Sequence, residues 1–345
     1  MRTIRRAAAL LLTALLLAAP VRAASAAFKD VPESHWAYES VRKAAQYDLI
    51  GGVGGGYFGT GQAVTRAQYA TMLCRLMGWT MLSPDEGSFD DNQDKTAWYY
   101  SAIETAYAHG ALLKLGDSCA PDAALSREEM AAMTVRALGY ASLAGIVQDD
   151  CPFTDVSTNR GYIALAYRMG FIGGVGLNSY APRSASTREQ AAAVLVRVYE
   201  RLRGGLGERT ALYGGEAVPE TAVYAESLSG AQSPIPMNPR APLETVYAAA
   251  VKAGVGGAVA LRVAPYAVRL AGGMASQGGT ITQAELEDLL ADDATRVYRS
   301  SRYGSSYLVH TESNGSTVVW YETAADIAEK VQLCRLLGVS AVYLA

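Results

Sequence analysis

The sequence predicts a multidomain chain in which an all-α array of helix-loop-helix repeats is followed by a small α/β domain. Three observations lead to this prediction. A four-residue motif recurs twice at a spacing of 61 residues, a helical pattern of apolar residues follows each copy, and strand-like and helix-like segments alternate in the last third of the chain. A fixed period of this kind is typical of repeat proteins, in which each unit buries its apolar face against its neighbours.

The N-terminus has the features of a secretory signal peptide, which we place at residues 1–26. A start rich in arginine precedes the apolar residues 7–20, and small residues follow them. This apolar segment has 14 residues, fewer than the roughly 20 that a membrane-spanning helix needs. We therefore expect cleavage after Ala23 or Ala26 and an exported mature chain, with an uncleaved anchor as the alternative.

The bulk composition is that of a globular protein with no general attraction to polyanions. Half of the 345 residues are apolar and 18% are charged, as in folded rather than disordered chains. Without residues 1–26 the chain carries 26 basic and 33 acidic residues, a net charge of −7. We expect no nucleic-acid partner, and a bound anion would need a local site.

Three repeats can be delimited, at residues 28–79, 88–140 and 152–199. Each begins with a phenylalanine and an aspartate, continues with a helical pattern and a loop, and ends with the motif and a second helical pattern. Residues 200–220 contain five glycines and are predicted to be a linker. Residues 221–345 form the predicted α/β domain.

The motif itself has the pattern of a helix cap. It reads Thr65-Arg66-Ala67-Gln68 in the first repeat, and its copies occupy residues 126–129 and 187–190. Ser or Thr at the N-cap with Glu or Gln three residues later forms a capping box, and such a cap contributes about 1 kcal/mol. Capping explains the first and fourth positions of the motif.

The second position needs another explanation. Its residues are Arg66, Arg127 and Arg188. A cation at the positive end of a helix dipole is mildly unfavourable, whereas free N–H groups beside a guanidinium suit a carboxylate or phosphate ligand. The alternative is an internal ion pair with the early aspartate of a repeat, and the two roles are compatible. The early aspartates are Asp30, Asp91 and Asp155.

Two more features recur in the repeats. Trp36 and Trp98 precede the first helical pattern of their repeats, and composition favours packing in the core over stacking on a sugar ring. The pairs Gly51-Gly52 and Gly173-Gly174 follow the first helical pattern. We expect these pairs to end that helix in a left-handed conformation, with close approach of a ligand to the backbone as the alternative.

Residues 28–199 resemble three tandem S-layer homology domains. The resemblance rests on FKDV, HWAY, LIGG and FGTGQAVTRAQYATML in the first repeat, with weaker copies in the other two. It implies helix-loop-helix units, three of which surround a central three-helix bundle. It also implies non-covalent attachment to the bacterial cell wall, possible S-layer membership, and binding of pyruvylated secondary cell-wall polysaccharide. The carboxylate of a pyruvate ketal agrees with an arginine at a helix start.

In this family the motif arginine, the early aspartate and the tryptophan help to form the ligand grooves. The candidate ligand-binding residues are therefore Arg66, Arg127, Arg188, Asp30, Asp91, Asp155, Trp36, Trp98, Gly51, Gly52, Gly173 and Gly174. The second repeat departs from the pattern, with Ala111-Leu112-Leu113 in place of Ile-Gly-Gly, and the third lacks the tryptophan. We expect an altered groove in the second repeat and the best groove in the first.

Residues 221–345 alternate between strand and helix patterns, which favours an α/β fold. Strands are predicted at 223–226, 257–261, 296–300, 306–311, 317–321 and 339–344, and helices at 242–253, 282–291 and 324–337. Thr282 and Glu285 form another capping box. Asn314-Gly315 predicts a hairpin turn between two of the strands.

Residues 306–345 resemble the end of the barrel in glycoside hydrolase family eighteen. The resemblance rests on Val319-Trp320-Tyr321-Glu322 and on the helix that leads to Gly338. The catalytic acid of that family ends an Asp-x-x-Asp-x-Asp-x-Glu motif, which this sequence lacks, and the region has half the length of a ~250-residue barrel. We expect a truncated, non-catalytic module, with a wall-anchored hydrolase of cell-wall or chitin-like glycans as the alternative.

The cysteines and histidines do not predict a metal or cofactor site. Cys74 and Cys334 lie in apolar helical patterns and are expected to be buried thiols, whereas Cys119 and Cys151 lie in loop-like sequence. The sequence leaves open whether that second pair forms a disulfide. The three histidines are far apart and have no cysteine or HExxH partners.

Overall fold

The computed structural model describes residues 28–114, 116–203, 210–225, 243–276, 278–301 and 303–345. The predicted signal peptide lies outside the described residues. These residues form a helical N-terminal region and an α/β C-terminal region. Among them, no helix is both long and apolar enough to cross a membrane.

The helical region consists of paired helices joined by loops. Its helices are α1 (Tyr38–Gln46), α2 (Arg66–Met77), α3 (Tyr100–Ala108), α4 (Arg127–Ala137), α5 (Ala141–Ile146), α6 (Arg160–Arg168) and α7 (Arg188–Arg203). The first repeat contributes α1 and α2, the second α3 and α4, and the third α6 and α7. The short α5, which was not predicted, lies between the second and third repeats.

The capping boxes form at the first two motifs and half-form at the third. Thr65 and Gln68 bond reciprocally, each through a backbone N–H and the other's side-chain oxygen at 3.2 Å, and Ser126 and Glu129 do the same. At the third motif the Gln190 side chain accepts the Thr187 N–H at 3.1 Å. The Thr187 hydroxyl is buried and has no hydrogen-bond partner in the described structure.

Three backbone hydrogen bonds join the residues just before the motifs into a closed ring. Val64 N–H donates to the Ser186 carbonyl at 2.9 Å, Ser186 N–H to the Leu125 carbonyl at 2.8 Å, and Leu125 N–H to the Val64 carbonyl at 2.9 Å. Each repeat thus gives one donor and one acceptor. The three repeats are arranged cyclically, and α2, α4 and α7 begin beside this ring.

The first helices also pack in a cyclic order. The first helix of each repeat contacts the second helix of the preceding one: α3 lies against α2, α6 against α4, and α1 against α7. Each repeat therefore contacts both of the other two. A cleft between repeats is lined by residues from more than one repeat.

The glycine pairs do not end the first helices, so that prediction is wrong. Helix α1 ends at Gln46, and the left-handed residue that follows is Asp48 with φ +56°. In the third repeat the left-handed residue is Gly170 with φ +74°. The pairs at 51–52 and 173–174 lie beyond these points, because each helix ends earlier than its apolar pattern suggests.

The first sheet of the C-terminal region has four parallel strands in the order β1-β10-β3-β2. These are β1 (Ala211–Gly214), β2 (Val223–Tyr224), β3 (Ala258–Leu261) and β10 (Ala341–Leu344). Helices α8 (Leu243–Ala253) and α10 (Ala324–Leu336) contact each other, and α8 covers β2 and β3. The predicted linker is shorter than expected, because residues 200–203 continue α7 and residues 211–214 pair with β10.

The second sheet is antiparallel, in the order β5-β4-β9-β8-β7 with β6 beside β4. Its strands are β4 (Tyr266–Ala271), β5 (Met274–Ala275), β6 (Gly279–Thr280), β7 (Thr295–Ser300), β8 (Ser305–Glu312) and β9 (Gly315–Tyr321). Helix α9 (Gln283–Ala291) packs Leu286 with Leu308 and Val319 of this sheet. The predicted hairpin joins β8 to β9, with Glu312 opposite Gly315, whereas β4 was not predicted.

One cluster of buried apolar side chains runs through both regions of the chain. It includes Tyr140 of the helical region, Leu333 of α10 and Val342 of β10. The Arg335 guanidinium also donates to the Leu202 carbonyl of α7 at 2.8 Å. The α/β region therefore packs on the repeats and shares their core. All four cysteines are buried free thiols.

Candidate ligand-binding clefts between the repeats

Each motif arginine reaches from its own repeat to a loop of the next one. The Nε–H donates to a loop carbonyl at 2.8–2.9 Å in each case: Arg66 to Cys119, Arg127 to Tyr180, and Arg188 to Phe58. The three acceptors are 61 residues apart, so the contacts are equivalent. The arginines link the first repeat to the second, the second to the third, and the third to the first.

Burial indicates that these contacts are structural. Arg66 and Arg188 are each 5% exposed, and Arg127 is half-buried. A second nitrogen, Nη2, donates to the Gly173 carbonyl at 2.8 Å from Arg127 and to the Gly51 carbonyl at 2.6 Å from Arg188. The carbonyl oxygens offset the unfavourable position of a cation at a helix start.

The early aspartates hold the same loops from the other side. Asp30 accepts the N–H groups of Phe58 and Gly59 at 2.7 Å and of Thr60 at 2.9 Å. Asp91 and Asp155 accept equivalent N–H groups from Cys119 and Ala120 and from Tyr180 and Ala181. In each loop, one residue donates its N–H to an aspartate and accepts a hydrogen bond from an arginine at its carbonyl oxygen.

These hydrogen bonds keep the aspartates charged. Burial by itself would raise the pKa of Asp30 and Asp91, but the hydrogen bonds from their loops outweigh it and lower both pKa values to about 2. The pKa of Asp155 is also lowered, chiefly by the N–H of Tyr180. Within the described part of the chain, the ion pairs do not join a motif arginine to an early aspartate.

The second repeat has a different arrangement at its junction with the first. The Arg66 Nη1 forms an ion pair with the Glu129 carboxylate, whereas the corresponding motif residues near Arg127 and Arg188 are the neutral Gln190 and Gln68. The other Glu129 oxygen accepts the Ser126 N–H and hydroxyl at 2.9 and 2.7 Å. The charge of Arg66 is therefore compensated inside the protein.

Trp36 and Trp98 are each 63% exposed, so the prediction that they pack in the core is wrong. Both lie five residues before a buried residue of the first helix, Val41 or Ile103. Counting back from Ile163 places Thr158 at this position in the third repeat. The tryptophans are exposed because they precede the helix, on the solvent side of the first turn.

The two residues of each glycine pair play different parts. A Cβ on Gly52 would lie 2.5 Å from the Tyr57 carbonyl oxygen, and one on Gly174 would lie 2.7 Å from the Phe153 ring. A Cβ on Gly51 or Gly173 would meet nothing within 4 Å. The second glycine of the pair is needed for packing, and the first lies beside open space.

A cleft of about 180 Å³ lies where the three repeats meet around the second one. Its lining residues are Arg66, Leu112, Leu113, Lys114, Glu129, Ala132, Met133, Arg136 and Asn159. They come from the first repeat (Arg66), the third (Asn159), and the loop and α4 of the second. The sequence-based site did not contain Lys114, Glu129 or Arg136, although Arg136 has counterparts at the same 61-residue spacing.

The cyclic arrangement places the two tryptophans beside the other two junctions. Asn159, which lines the cleft, is four residues before the buried Ile163 of its repeat. The same position is Ala37 in the first repeat and Tyr99 in the second, and each of these directly follows a tryptophan. The packing order of the helices therefore places Trp98 next to the contact between Gly51 and Arg188. It places Trp36 next to the contact between Gly173 and Arg127. The candidate residues of one repeat thus belong to different junctions.

In the described part of the C-terminal region, several acidic side chains cap helices or form ion pairs with basic residues. Glu285 caps its own helix, and the other acidic residues of α9, Glu287 and Asp288, are exposed. Glu322 forms an ion pair with Lys330 at 2.6 Å, with side chains 1% and 4% exposed. Among the described residues, no group of three or more His, Cys, Asp or Glu side chains is placed to hold a metal ion.

A family model for the S-layer homology domain matches residues 27–70, 88–131 and 152–192. Each segment begins at or next to the start of one of the three repeats and covers most of that repeat. The chain therefore carries three S-layer homology domains.

Several curated proteins are similar to part of this chain. The cellulosome-anchoring protein of Acetivibrio thermocellus is 32% identical over 164 residues, covering 45% of this chain and 36% of that protein. An S-layer protein of Bacillus thuringiensis subsp. finitimus is 30% identical over 118 residues, 34% of this chain and 14% of its own length. An amylopullulanase of Thermoanaerobacterium thermosulfurigenes is 29% identical over 184 residues, 50% of this chain and 10% of its own.

The chain spans only 10–18% of the length of the first three such relatives. Among solved structures, a proposed sporulation-specific glycosylase from Bacillus subtilis aligns with a TM-score of 0.29 and 16% identity, over 42% of this chain and 56% of that one. A TM-score at this level does not establish a shared fold.

Proposed function

We propose that this chain holds an exported protein on the bacterial cell wall by binding the pyruvylated secondary cell-wall polysaccharide, as part of an S-layer or another surface protein. The three S-layer homology domains and the relatives named as S-layer and cellulosome-anchoring proteins support wall anchoring. The three-helix arrangement around the ring at Val64, Leu125 and Ser186 is the scaffold for this binding.

The observation that carries the proposal is the exposure of Trp36 and Trp98 beside two inter-repeat junctions. A large aromatic ring that is 63% exposed adds little to stability and is suited to stacking on the apolar face of a sugar. An open glycine and a bridging arginine lie at each of these junctions. Such a surface combines an exposed aromatic ring with the charge of a nearby guanidinium, which is half-buried in Arg127 and buried in Arg188.

Co-sedimentation with purified cell-wall sacculi that retain their secondary polymer tests this function. The mature protein, the double variant Trp36→Ala/Trp98→Ala and the control Tyr298→Ala are compared, because Tyr298 is also exposed (47%) but lies in the C-terminal sheet. We expect the double variant to bind about tenfold more weakly, which corresponds to about 1.4 kcal/mol of binding free energy, and the control to bind normally.

A second arm compares walls with and without the pyruvate ketal. Binding that needs both the tryptophans and the pyruvate supports the full proposal. Equal binding of wild type and double variant would overturn the role of the tryptophans. Equal binding to both kinds of wall would restrict the proposal to anchoring by a neutral glycan.

We further propose that the C-terminal region does not hydrolyse glycans. The absence of the family-eighteen acid motif from the sequence and the engagement of Glu322 with Lys330 support this view. We expect the protein to release no reducing sugar from purified walls or chitin. Release that disappears in Glu322→Gln would favour the alternative, a wall-anchored glycoside hydrolase.

A further inference from the structure

The cleft of the second repeat holds more positive than negative charge. Arg66 and Glu129 neutralise each other, which leaves Lys114 and Arg136 as the other ionisable residues of its lining. Neither has an acidic side chain within ion-pair distance among the described residues. The cleft therefore has two uncompensated positive charges, although its motif arginine is occupied.

Both cations are held in place by aromatic rings. The Arg136 guanidinium lies over the Tyr162 ring at 4.4 Å, and its Nε donates to the Tyr162 hydroxyl at 3.2 Å. The Lys114 ammonium is 5.6 Å from the centre of the Phe89 ring. Contacts of this kind orient a cation and leave its remaining N–H groups available to an acceptor.

Lys114 also accounts for the departure of this repeat from the glycine pattern. Ala111 and Leu112 are buried like Leu49 and Ile50, so Leu113 and Lys114 occupy the positions of Gly51 and Gly52. The alignment expected from the sequence, with Leu112 and Leu113 at the glycine positions, is therefore wrong by one residue. In the second repeat a lysine thus stands where the other repeats have a glycine. Arg136 corresponds by its spacing to Arg75 and Arg197, and the Arg197 Nη1 is already bonded to the Phe171 carbonyl at 2.8 Å.

We propose that the cleft of the second repeat binds a carboxylate-bearing sugar through Lys114 and Arg136, with Glu129 holding Arg66 out of that interaction. This proposal rests on the proposed wall-binding function and assigns the acid-binding residues at one of its sites. The cleft volume of about 180 Å³ is several times the space that one water needs, which suits one sugar unit. Leu112, Ala132 and Met133 give it an apolar lining beside the cations, matching a ketal carbon that carries both a methyl and a carboxylate.

The probe is the methyl glycoside of a hexosamine with a 4,6-linked pyruvate ketal. Its control has a neutral isopropylidene ketal, in which a methyl group replaces the carboxylate. The full mature chain is labelled with ¹³C at its methionine methyl groups, and titration is followed at Met133, which lines this cleft and is assigned with Met133→Leu. This signal reports the second cleft separately from the other two junctions.

We expect the pyruvylated probe to shift the Met133 signal and the neutral probe to bind at least tenfold more weakly. Lys114→Ala and Arg136→Ala should each weaken binding about tenfold, as for the loss of one charge-assisted hydrogen bond, and Arg136→Lys should recover part of it. Glu129→Gln, which copies the residue of the other two motifs, should strengthen binding because it frees Arg66. Arg75→Ala, the matched control on α2, should change the dissociation constant less than twofold.

Several outcomes would overturn this assignment. These are no shift of Met133 with the probe, equal binding of the neutral ketal, or unchanged affinity in well-folded Lys114→Ala and Arg136→Ala. If wild type still sediments with pyruvylated walls in those cases, the anchoring function stands and only the second cleft is excluded. If the wild type fails to sediment as well, the proposed function fails too.

Discussion

The Arg188 guanidinium donates to the Gly51 carbonyl across 137 positions of the chain, at 2.6 Å. This contact and its partner at Phe58 close the circle of repeats, because they join the third repeat back to the first. Arg188 is the first residue of α7, and its side chain also connects the third repeat to the first.

Removing this link should destabilise the whole helical region. Arg188→Ala leaves the carbonyls of Phe58 and Gly51 without their donor, and we expect a loss of about 3 kcal/mol in the free energy of unfolding. Urea denaturation of the wild type and the variant measures this difference in the free energy of unfolding. The control is Arg42→Ala, whose ion pair with Glu39 is exposed and should contribute less than about 1 kcal/mol. Equal stability of the two variants would show that Arg188 is not a structural link.

Acid should weaken the loops held by the early aspartates. The folded-state pKa of Asp30 is about 2, against about 3.9 in an unfolded chain. The stabilisation from this group is therefore complete above about pH 4 and is lost as the pH falls toward 2. Because Asp30 is only partly buried, solvent screening reduces the expected effect to about 1 kcal/mol.

The measurement is urea denaturation of wild type and Asp30→Asn at pH 6 and pH 2.5. Asparagine does not titrate, so the difference in unfolding free energy between the two proteins should shrink at the lower pH. A constant difference would mean that the pKa of Asp30 is not lowered in the folded state.

The two residues of the first glycine pair should differ sharply in their tolerance of a methyl group. Gly52→Ala brings a Cβ to 2.5 Å from the Tyr57 carbonyl oxygen, and we expect a loss of about 1–3 kcal/mol. Gly51→Ala meets open space and should be neutral or stabilising by up to about 1 kcal/mol, because alanine restricts the unfolded chain. Thermal denaturation of the two variants checks the order, and a reversed order would contradict the packing.

The helical and α/β regions should unfold together. Leu333 is fully buried in the cluster that both regions share, so Leu333→Ala should lower stability by about 2–5 kcal/mol. In differential scanning calorimetry we expect a single transition that moves as a whole to lower temperature. Two separate transitions, with only the later part of the chain affected, would show that the regions are independent.

The Glu322–Lys330 pair should act as a structural unit. Glu322→Gln leaves a charged lysine that is 4% exposed, and we expect a loss of about 3–5 kcal/mol. Changing Lys330→Met in the same protein should restore much of this loss, since neither charge of the pair then remains. Chemical denaturation of the single and double variants measures the effect, and the absence of any rescue would argue against mutual dependence of the two charges.

Local sequence signals predicted the local structure well. Thr65 with Gln68 and Thr282 with Glu285 are capping boxes as expected, because a cap depends on residues three positions apart. The hairpin at Asn314-Gly315 is local in the same sense. Strand β4 was missed, since its residues become a strand only by pairing with β9.

The site was harder to predict than the helices. The sequence identified Arg66, Trp36 and Gly51 as candidate site residues of one repeat, but it could not show which of them lie in the same cleft. Trp36 was expected in the core because most large aromatic residues are buried, and its position just before a helix left it in solvent. Lys114 carried no repeating signal, so it was not recognised.

The sequence by itself determined the period, the caps and the residue types of each repeat, because these depend on neighbours a few positions apart. Only the tertiary structure decided that Arg188 of the third repeat meets Gly51 of the first. It also decided that Glu129 neutralises Arg66 and leaves Lys114 and Arg136 facing a cleft. The physical reason is that cyclic packing distributes each repeat over two junctions, and no pattern within one repeat contains that information.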